Sequence, residues 1–260
     1  MELDGLERLA EQLFLRERDN GAKPLPNVHV LRRERVSALE AVVYNPVICL
    51  ILRGSKETNI GSQSVTLQRG DALVVSHDLP VTSRITQASP EAPYLALIIS
   101  LDLGIVRSLY EQVGGSISEA PNARSLSASA VRDEWLDPLG RYLRMMDEPL
   151  DVQVLGPSVL RELHYRLLMS PIGGMLRNLL SVDSHASRIA KAIARIRSGY
   201  REPLSVVELA RLAGMSQSSF HEHFRTVTGT TPLQYMKDLR LIEAQSLLRD
   251  GRKSVSATSF

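Results

Sequence analysis

Apolar positions change period along this chain, and each change marks a new class of element. Leu3, Leu6, Leu9 and Leu13 recur at helical spacing, so Met1–Leu13 predicts an amphipathic helix packed on the body of the protein. Between residues 27 and 101 the period shortens. Val28–Leu31, Val47–Leu52, Ser64–Leu67, Ala72–Val75, Val81–Ile85 and Tyr94–Ile99 are short, largely β-branched runs separated by Gly, Pro, Asn and Asp signals. Gly54-Ser55, Gly61-Ser62 and Arg69-Gly70-Asp71 read as turns, and strands at this spacing predict a sandwich or small barrel. Residues 102–182 return to helix, over Asp102–Val113, Ala130–Met146 and Gly156–Met169. Gly114-Gly115 and the serine-rich Ser125–Ser129 separate the first two, Pro149 ends the second, and Pro171-Ile172-Gly173-Gly174 breaks the third. Ser181–Ser184 reads as a linker. Ile189, Ile193, Ile196 and Tyr200 then mark a further helix.

The densest punctuation lies in residues 203–250. Ser205 and Glu208 form a capping box after Pro203, opening a helix with an apolar stripe of Val206, Leu209, Ala210 and Ala213. Gly214 breaks it, as a tight helix-turn-helix corner requires. Ser216 caps a second helix that turns Phe220, Phe224 and Val227 inward, and Gly229 closes it. Thr231-Pro232-Leu233-Gln234 opens a third, whose apolar positions are Leu233, Met236, Leu239, Ile242 and Leu247. Any capped amphipathic hairpin has such a buried stripe, and a small helical bundle needs nothing more. The outward face of the second helix adds something else. Gln217, Ser218, His221, Glu222 and Arg225 are mostly short or fork-shaped hydrogen-bonders, the inventory for reading base edges and phosphates in a major groove.

The run Leu209-Ala210, Gly214-Met215-Ser216, Phe220, Phe224, Gly229, Pro232, Tyr235, Arg240-Leu241, Ala244, Leu247-Leu248 resembles the AraC/XylS family of bacterial transcription regulators. Asn45-Pro46 through Gly54-Ser55-Lys56-Glu57, then Gly70-Asp71, then Leu79-Pro80-Val81, is similar to the cupin-like sensor domain of one branch of that family. The resemblance implies an α+β protein. Residues 1–101 would form an N-terminal helix and an effector-binding barrel, 102–182 a helical dimerisation and coupling region, and 183–260 the DNA-binding domain. It implies a homodimer that binds operator DNA under control of a small-molecule effector, with RNA polymerase as a further partner. Two departures stand out. Arg249–Phe260 resembles the start of the family's second helix-turn-helix, so the expected DNA-binding domain holds the first unit and the linker helix only. Glu222 stands where these recognition helices often carry arginine, and a carboxylate there accepts best from cytosine N4. Base contact is expected from Gln217, Ser218, His221 and Glu222, and phosphate contact from Arg225. Tyr44, Cys49 and His77 are the candidate pocket residues.

Charge agrees with this layout. Residues 183–260 carry twelve Lys/Arg against seven Asp/Glu, a surplus of +5, whereas residues 1–182 stand at −3. A basic end on a slightly acidic body fits nucleic-acid contact confined to that end, although ordinary solvated helices also carry such a surplus. Cys49, the single cysteine, sits in an apolar run and reads as a buried small hydrophobe in a reducing, cytoplasmic setting. The acidic start of Met1–Leu13 is unlike a signal peptide, and Tyr94–Val106 is too short and too polar to span a bilayer.

Many cupin barrels are metalloenzymes, with a His-x-His, a Glu and a later His on facing strands. The predicted barrel holds only His29 and His77, far apart, so no metal and no cofactor is expected. His221-Glu222-His223 has the dipeptide spacing, but on a helix its two histidines project about 200° apart. Arg225 stands where a zincin motif starting at His221 would need histidine, and neither a nucleophile elbow nor a phosphate-binding glycine loop occurs. No catalytic residue is assigned. The readings left open are a DNA-binding regulator, an effector-binding dimer without effective DNA binding, and a metal-dependent cupin enzyme.

Overall fold

The computed structural model describes residues 1–20, 25–61, 63–113, 120, 123–181 and 184–249. The expectations placed on Gly114-Gly115, on Val182-Asp183 of the linker and on residues 250–260 fall outside the described residues.

The N-terminal helix α1 spans Leu3–Asn20, longer than its leucine spacing alone predicts. Strands follow as β1 (Val28–Arg33), β2 (Glu40–Tyr44), β3 (Val47–Arg53), β4 (Ser55–Ile60), β5 (Gln63–Gln68), β6 (Asp71–Val75), β7 (Leu79–Gln87) and β8 (Tyr94–Ser100). Helix α2 (Leu103–Val113) precedes a further strand, β9 (Leu126–Ala130). Then come α3 (Asp133–Arg144), α4 (Pro149–Val154), α5 (Gly156–Met169) and α6 (Gly174–Leu180). The last four helices are α7 (His185–Gly199), α8 (Val206–Leu212), α9 (Gln217–Thr228) and α10 (Pro232–Arg249).

The strands form two antiparallel sheets, ordered β1-β8-β3-β6-β9 and β2-β7-β4-β5. The first sheet is covered on both faces. Along β3, Ile48, Leu50 and Leu52 turn to one core with Leu6 and Leu13 of α1, Trp135 and Leu139 of α3, and Leu163 and Leu167 of α5. The alternate residues Cys49 and Ile51 turn to a second core between the sheets, with Leu67, Val81 and Ile85. Successive strand residues point to opposite faces, so burial on both explains the unbroken apolar run Val47–Leu52.

The second core does not end at the barrel. It continues without interruption into Ile189, Ile193 and Ile196 of α7, Leu209 of α8, Phe220 and Phe224 of α9, and Tyr235, Met236 and Leu239 of α10. The caps form as the sequence predicts. Ser205 and Glu208 make both bonds of a capping box, the Ser216 hydroxyl accepts from the Ser219 amide, and Gly229 is left-handed at φ 75°. Gly214 turns the corner at φ 63°.

Three features differ from the expected layout. Strands β2 and β4 lie outside the runs that the sequence marks as strands, and Leu126–Ala130 forms β9, paired with β6, where a separator was expected. The helix expected to stop before Pro149 does so, and Pro149 also opens α4, because proline is favoured in a first turn. Leu233 is 62% exposed, since the buried side of α10 runs through Tyr235, Met236 and Leu239 instead.

Phe224 is fully buried, with its ring 5.5 Å from both Phe220 and Tyr235. Truncating it leaves a cavity between α9 and α10. Phe224→Ala is expected to lower the unfolding free energy by about 3–5 kcal/mol, read by urea titration.

Candidate effector cavity and DNA-facing helix

A cavity of about 490 Å³ opens among β1, β2, β3, β7 and β8. Its walls combine apolar side chains (Leu31, Val42, Val43, Val47, Ile85 and Ile98) with a few polar ones, a size and mixture suited to a small organic molecule. Tyr44 and Cys49 line it. His77 does not. It is buried beside Ser76, with Nδ1 3.3 Å from the Ser76 hydroxyl and Nε2 without a hydrogen-bond partner.

The cavity also holds a residue that sequence reading passed over. Strand β4 alternates strictly, turning Lys56, Thr58 and Ile60 inward, and Lys56 is only 6% exposed. Its Nζ lies 4.8 Å from the centre of the Tyr44 ring. Burial works against the charged form, yet the neighbouring Cys49 and Tyr44 hold the Lys56 pKa above the ordinary lysine value. No carboxylate among the described residues makes an ion pair with it. Removing an ion from water costs several kcal/mol even after relaxation, whereas a desolvated cation–π contact returns about 2 kcal/mol or more. The cavity wall thus carries a buried amine that no Asp or Glu among the described residues pairs with. Cys49 and Tyr44 raise the Lys56 pKa only when ionised, and burial pushes the Cys49 thiol pKa up, away from its charged form.

On α9 the five residues expected to meet DNA share one exposed face. Gln217, Ser218, His221, Glu222 and Arg225 are all exposed, while Phe220, Phe224 and Val227 are buried. His223, between them, is partly covered and stacks on His185 at the start of α7, with ring centres 3.7 Å apart. Burial and the adjacent His185 keep the His223 pKa low. Helix-turn-helix geometry needs such an arrangement, an aromatic side locked in the core and a polar side left free for a groove.

Cavity and helix are joined by a short set of contacts that sequence reading also missed. Arg197 of α7 pairs with Asp78 at 2.9 Å, and the Tyr235 hydroxyl donates to the Asp78 carbonyl at 2.6 Å. Asp78 immediately precedes Leu79, which pairs across the sheet with Tyr44 of the cavity wall. The Ser125 hydroxyl donates to the Val227 carbonyl at the end of α9. Ile60 packs on Gly229, where an added Cβ would lie 3.3 Å from its side chain. Such contacts join residues far apart in sequence, so no local motif signals them.

Among the described residues no group of three His, Cys, Asp or Glu side chains comes together as a metal shell, and no helix is long and apolar enough to cross a membrane.

Residues 24–175 match the family model of the AraC-type transcriptional regulator N-terminus, and residues 209–260 match a helix-turn-helix domain. No curated protein matches the chain. Among solved structures, ToxT from Vibrio cholerae with an unsaturated fatty acid bound is 16% identical over 81% of this chain and 93% of its own, at a TM-score of 0.37. The AraC-like transcriptional activator CuxR is 14% identical over 85% of this chain and 78% of its own, at 0.33. A cupin-2 domain containing protein from Shewanella frigidimarina is 14% identical over 30% of this chain and 74% of its own, at 0.23. Scores this low leave the family to be read from the sequence models alone.

Burial holds the His77 pKa down at about 4, so the folded protein keeps this imidazole neutral where the unfolded chain, near 6.5, would protonate it. The resulting stability is complete above pH 6.5 and is lost as pH falls from 6.5 towards 4, by about 2–3 kcal/mol. His77→Gln is expected to flatten that loss, compared by urea titration at pH 7 and pH 4.5. An equally steep loss in the variant would acquit His77.

Proposed function

This chain belongs to the AraC-type transcriptional regulators, and we propose that it binds its operator through α9 under control of a small molecule held in the barrel cavity. The observation that carries this reading is the one-sided helix α9, with its aromatic residues fixed in the core and five polar side chains free on the opposite face. Gln217, Ser218, His221 and Glu222 are assigned to base edges and Arg225 to phosphate. Such a division separates sequence recognition from positioning.

The domain layout proposed is a sensor over 1–101, a coupling and dimerisation region over 102–182, and a DNA-binding domain over 183–260. Strand β9 ties the second stretch to the first, since it extends the sheet from within 102–182. Homodimerisation through the helical region is supported by Leu150, Val154 and Leu155, exposed together on and beside α4. We assign the protein to the cytoplasm and to a non-catalytic role, with DNA, an effector and RNA polymerase as partners. Effector control would run through β2 and Asp78. The cavity wall and the anchor of Tyr235 are adjacent along this path, so a ligand that favours one arrangement of β2 shifts the population in which α9 is presented for binding.

Fluorescence-anisotropy titration of the chain with its own upstream DNA, against scrambled DNA across a salt series, tests the reading. Tighter binding to the upstream DNA is expected. Arg225→Ala should weaken binding to both DNAs and reduce the salt slope by about one, while Gln217→Ala should cost about 1–3 kcal/mol on the specific DNA only. Equal affinity for the two DNAs, unchanged by either substitution, would sink it. Val43→Trp, which fills the cavity, is expected to abolish any effector-dependent change in DNA affinity.

A further inference from the structure

The cavity wall carries one charge without a counter-charge, and we propose that the ligand supplies it: the cavity takes a small organic monocarboxylate, with Lys56 as the group that recognises it. This rests on the effector reading above and narrows it to a chemical class.

Lys56 is buried on the inward side of β4 and lines the cavity, with the Tyr44 ring face against its ammonium. No Asp or Glu among the described residues pairs with it; the ion pairs nearest in sequence, Arg53 with Glu7 and Arg84 with Glu57, leave it out. Cys49 faces it as a neutral thiol. Of the other ionisable groups of the lining, His29 is engaged in an interaction of its own, and Arg33 and Glu40 are exposed and of opposite sign, with Arg33 donating to the Arg32 carbonyl. The unmatched charge is thus a single ammonium.

Ligand charge follows from that count. A carboxylate brings one negative charge and acceptor oxygens, which the ammonium and the hydroxyl-bearing Tyr44 can both serve as donors. A phosphate monoester brings about two charges and would leave one buried without a partner. An alcohol or aldehyde brings none and leaves the ammonium as it stands. The remaining walls, among them Leu31, Val42 and Ile98, are apolar and call for an apolar body behind the carboxylate.

Isothermal titration of the full chain with hexanoate, octanoate and benzoate, beside 1-hexanol, 1-octanol and benzyl alcohol, tests the assignment. At least one acid is expected to bind about tenfold or more tightly than its matched alcohol. Lys56→Met should erase that ratio and leave alcohol binding unchanged, whereas Lys56→Arg, which keeps the charge, should retain it. Thermal melting of the ligand-free protein supplies a second readout. Because Lys56→Met removes an unpaired buried charge, its melting temperature should match or exceed that of the wild type.

Alcohols binding as tightly as acids, a preference that survives Lys56→Met, no binding by any of the six, or a clear fall in the melting temperature of Lys56→Met would each overturn the proposal. Val43→Trp separates this failure from that of the effector cavity. If it blocks acids and alcohols that the wild type binds alike, the cavity stands and the anion class falls. If it blocks neither, the cavity itself falls.

Discussion

The first sheet is buried on both faces, and the rest of the molecule follows from that constraint. One face must be covered by helices, which recruits α1, α3 and α5 into a core of their own. The other must be covered by the second sheet, and the strip beyond that sheet is closed by α7, α9 and α10. The helix-turn-helix is therefore not appended to the barrel by a tether alone. It shares the barrel's core: Phe220 and Phe224 pack the hairpin internally, and Tyr235, against Phe224, also bonds the sensor at the Asp78 carbonyl. Close-packed interiors transmit displacement poorly by degrees and well by discrete repacking. A shared core suits a protein whose two ends must answer one another.

Much of this architecture was legible along the chain, for reasons that differ by region. The helix-turn-helix could be read residue by residue because each boundary carries its own local chemistry: Ser205 with Glu208, Gly214, Ser216 and Gly229 all do in the structure what their side chains, or the lack of one, dictate. The strands β3, β6 and β8 announced themselves because burial demands apolar runs. Strands β4 and β9 did not. Ser55–Ile60 is polar in composition, and its inward positions include Lys56 and Thr58, so the alternation marks a lined interior and escapes a search for apolar residues. Serine and alanine in β9 pack against β6 with little apolar bulk, and the pairing partner lies more than fifty residues away along the chain.

The candidate site divides in the same way. The face of α9 followed from helical period alone, and the structure exposes all five of its polar residues. Of the three cavity residues expected, Tyr44 and Cys49 line the space, whereas His77, just ahead of β7, is enclosed beside Ser76. The Asp78 junction with Arg197 and Tyr235 lies beyond sequence reading, because one of its bonds goes to a backbone carbonyl that any residue would provide. What distinguishes Asp78 is its carboxylate on Arg197, a partly exposed pair at 2.9 Å, and such pairs contribute about 1 kcal/mol or less. That is small against the shared apolar core and large enough to bias two arrangements of it.

The two ends of the molecule use charge in opposite ways. On the surface, positive side chains are widely matched: Arg53 with Glu7 and Glu11, Arg84 with Glu57, Arg141 and Arg166 with Glu162. Exposed pairs of this kind contribute little individually, and their loss would be tolerated. Inside the barrel the pattern reverses, because Lys56 is buried, makes no ion pair with an Asp or Glu among the described residues, and has its Nζ over the Tyr44 ring. A core chosen for stability alone would place an apolar residue there, as it does at Ile60 on the same face of β4. Under the proposal, a ligand of opposite charge would recover the cost of that burial on entering the cavity. Tyr44, which covers the ammonium, pairs across the sheet with the residue beside Asp78. The place where ligand charge would be felt is thus one strand pairing away from the Asp78 bond that holds Tyr235 of α10.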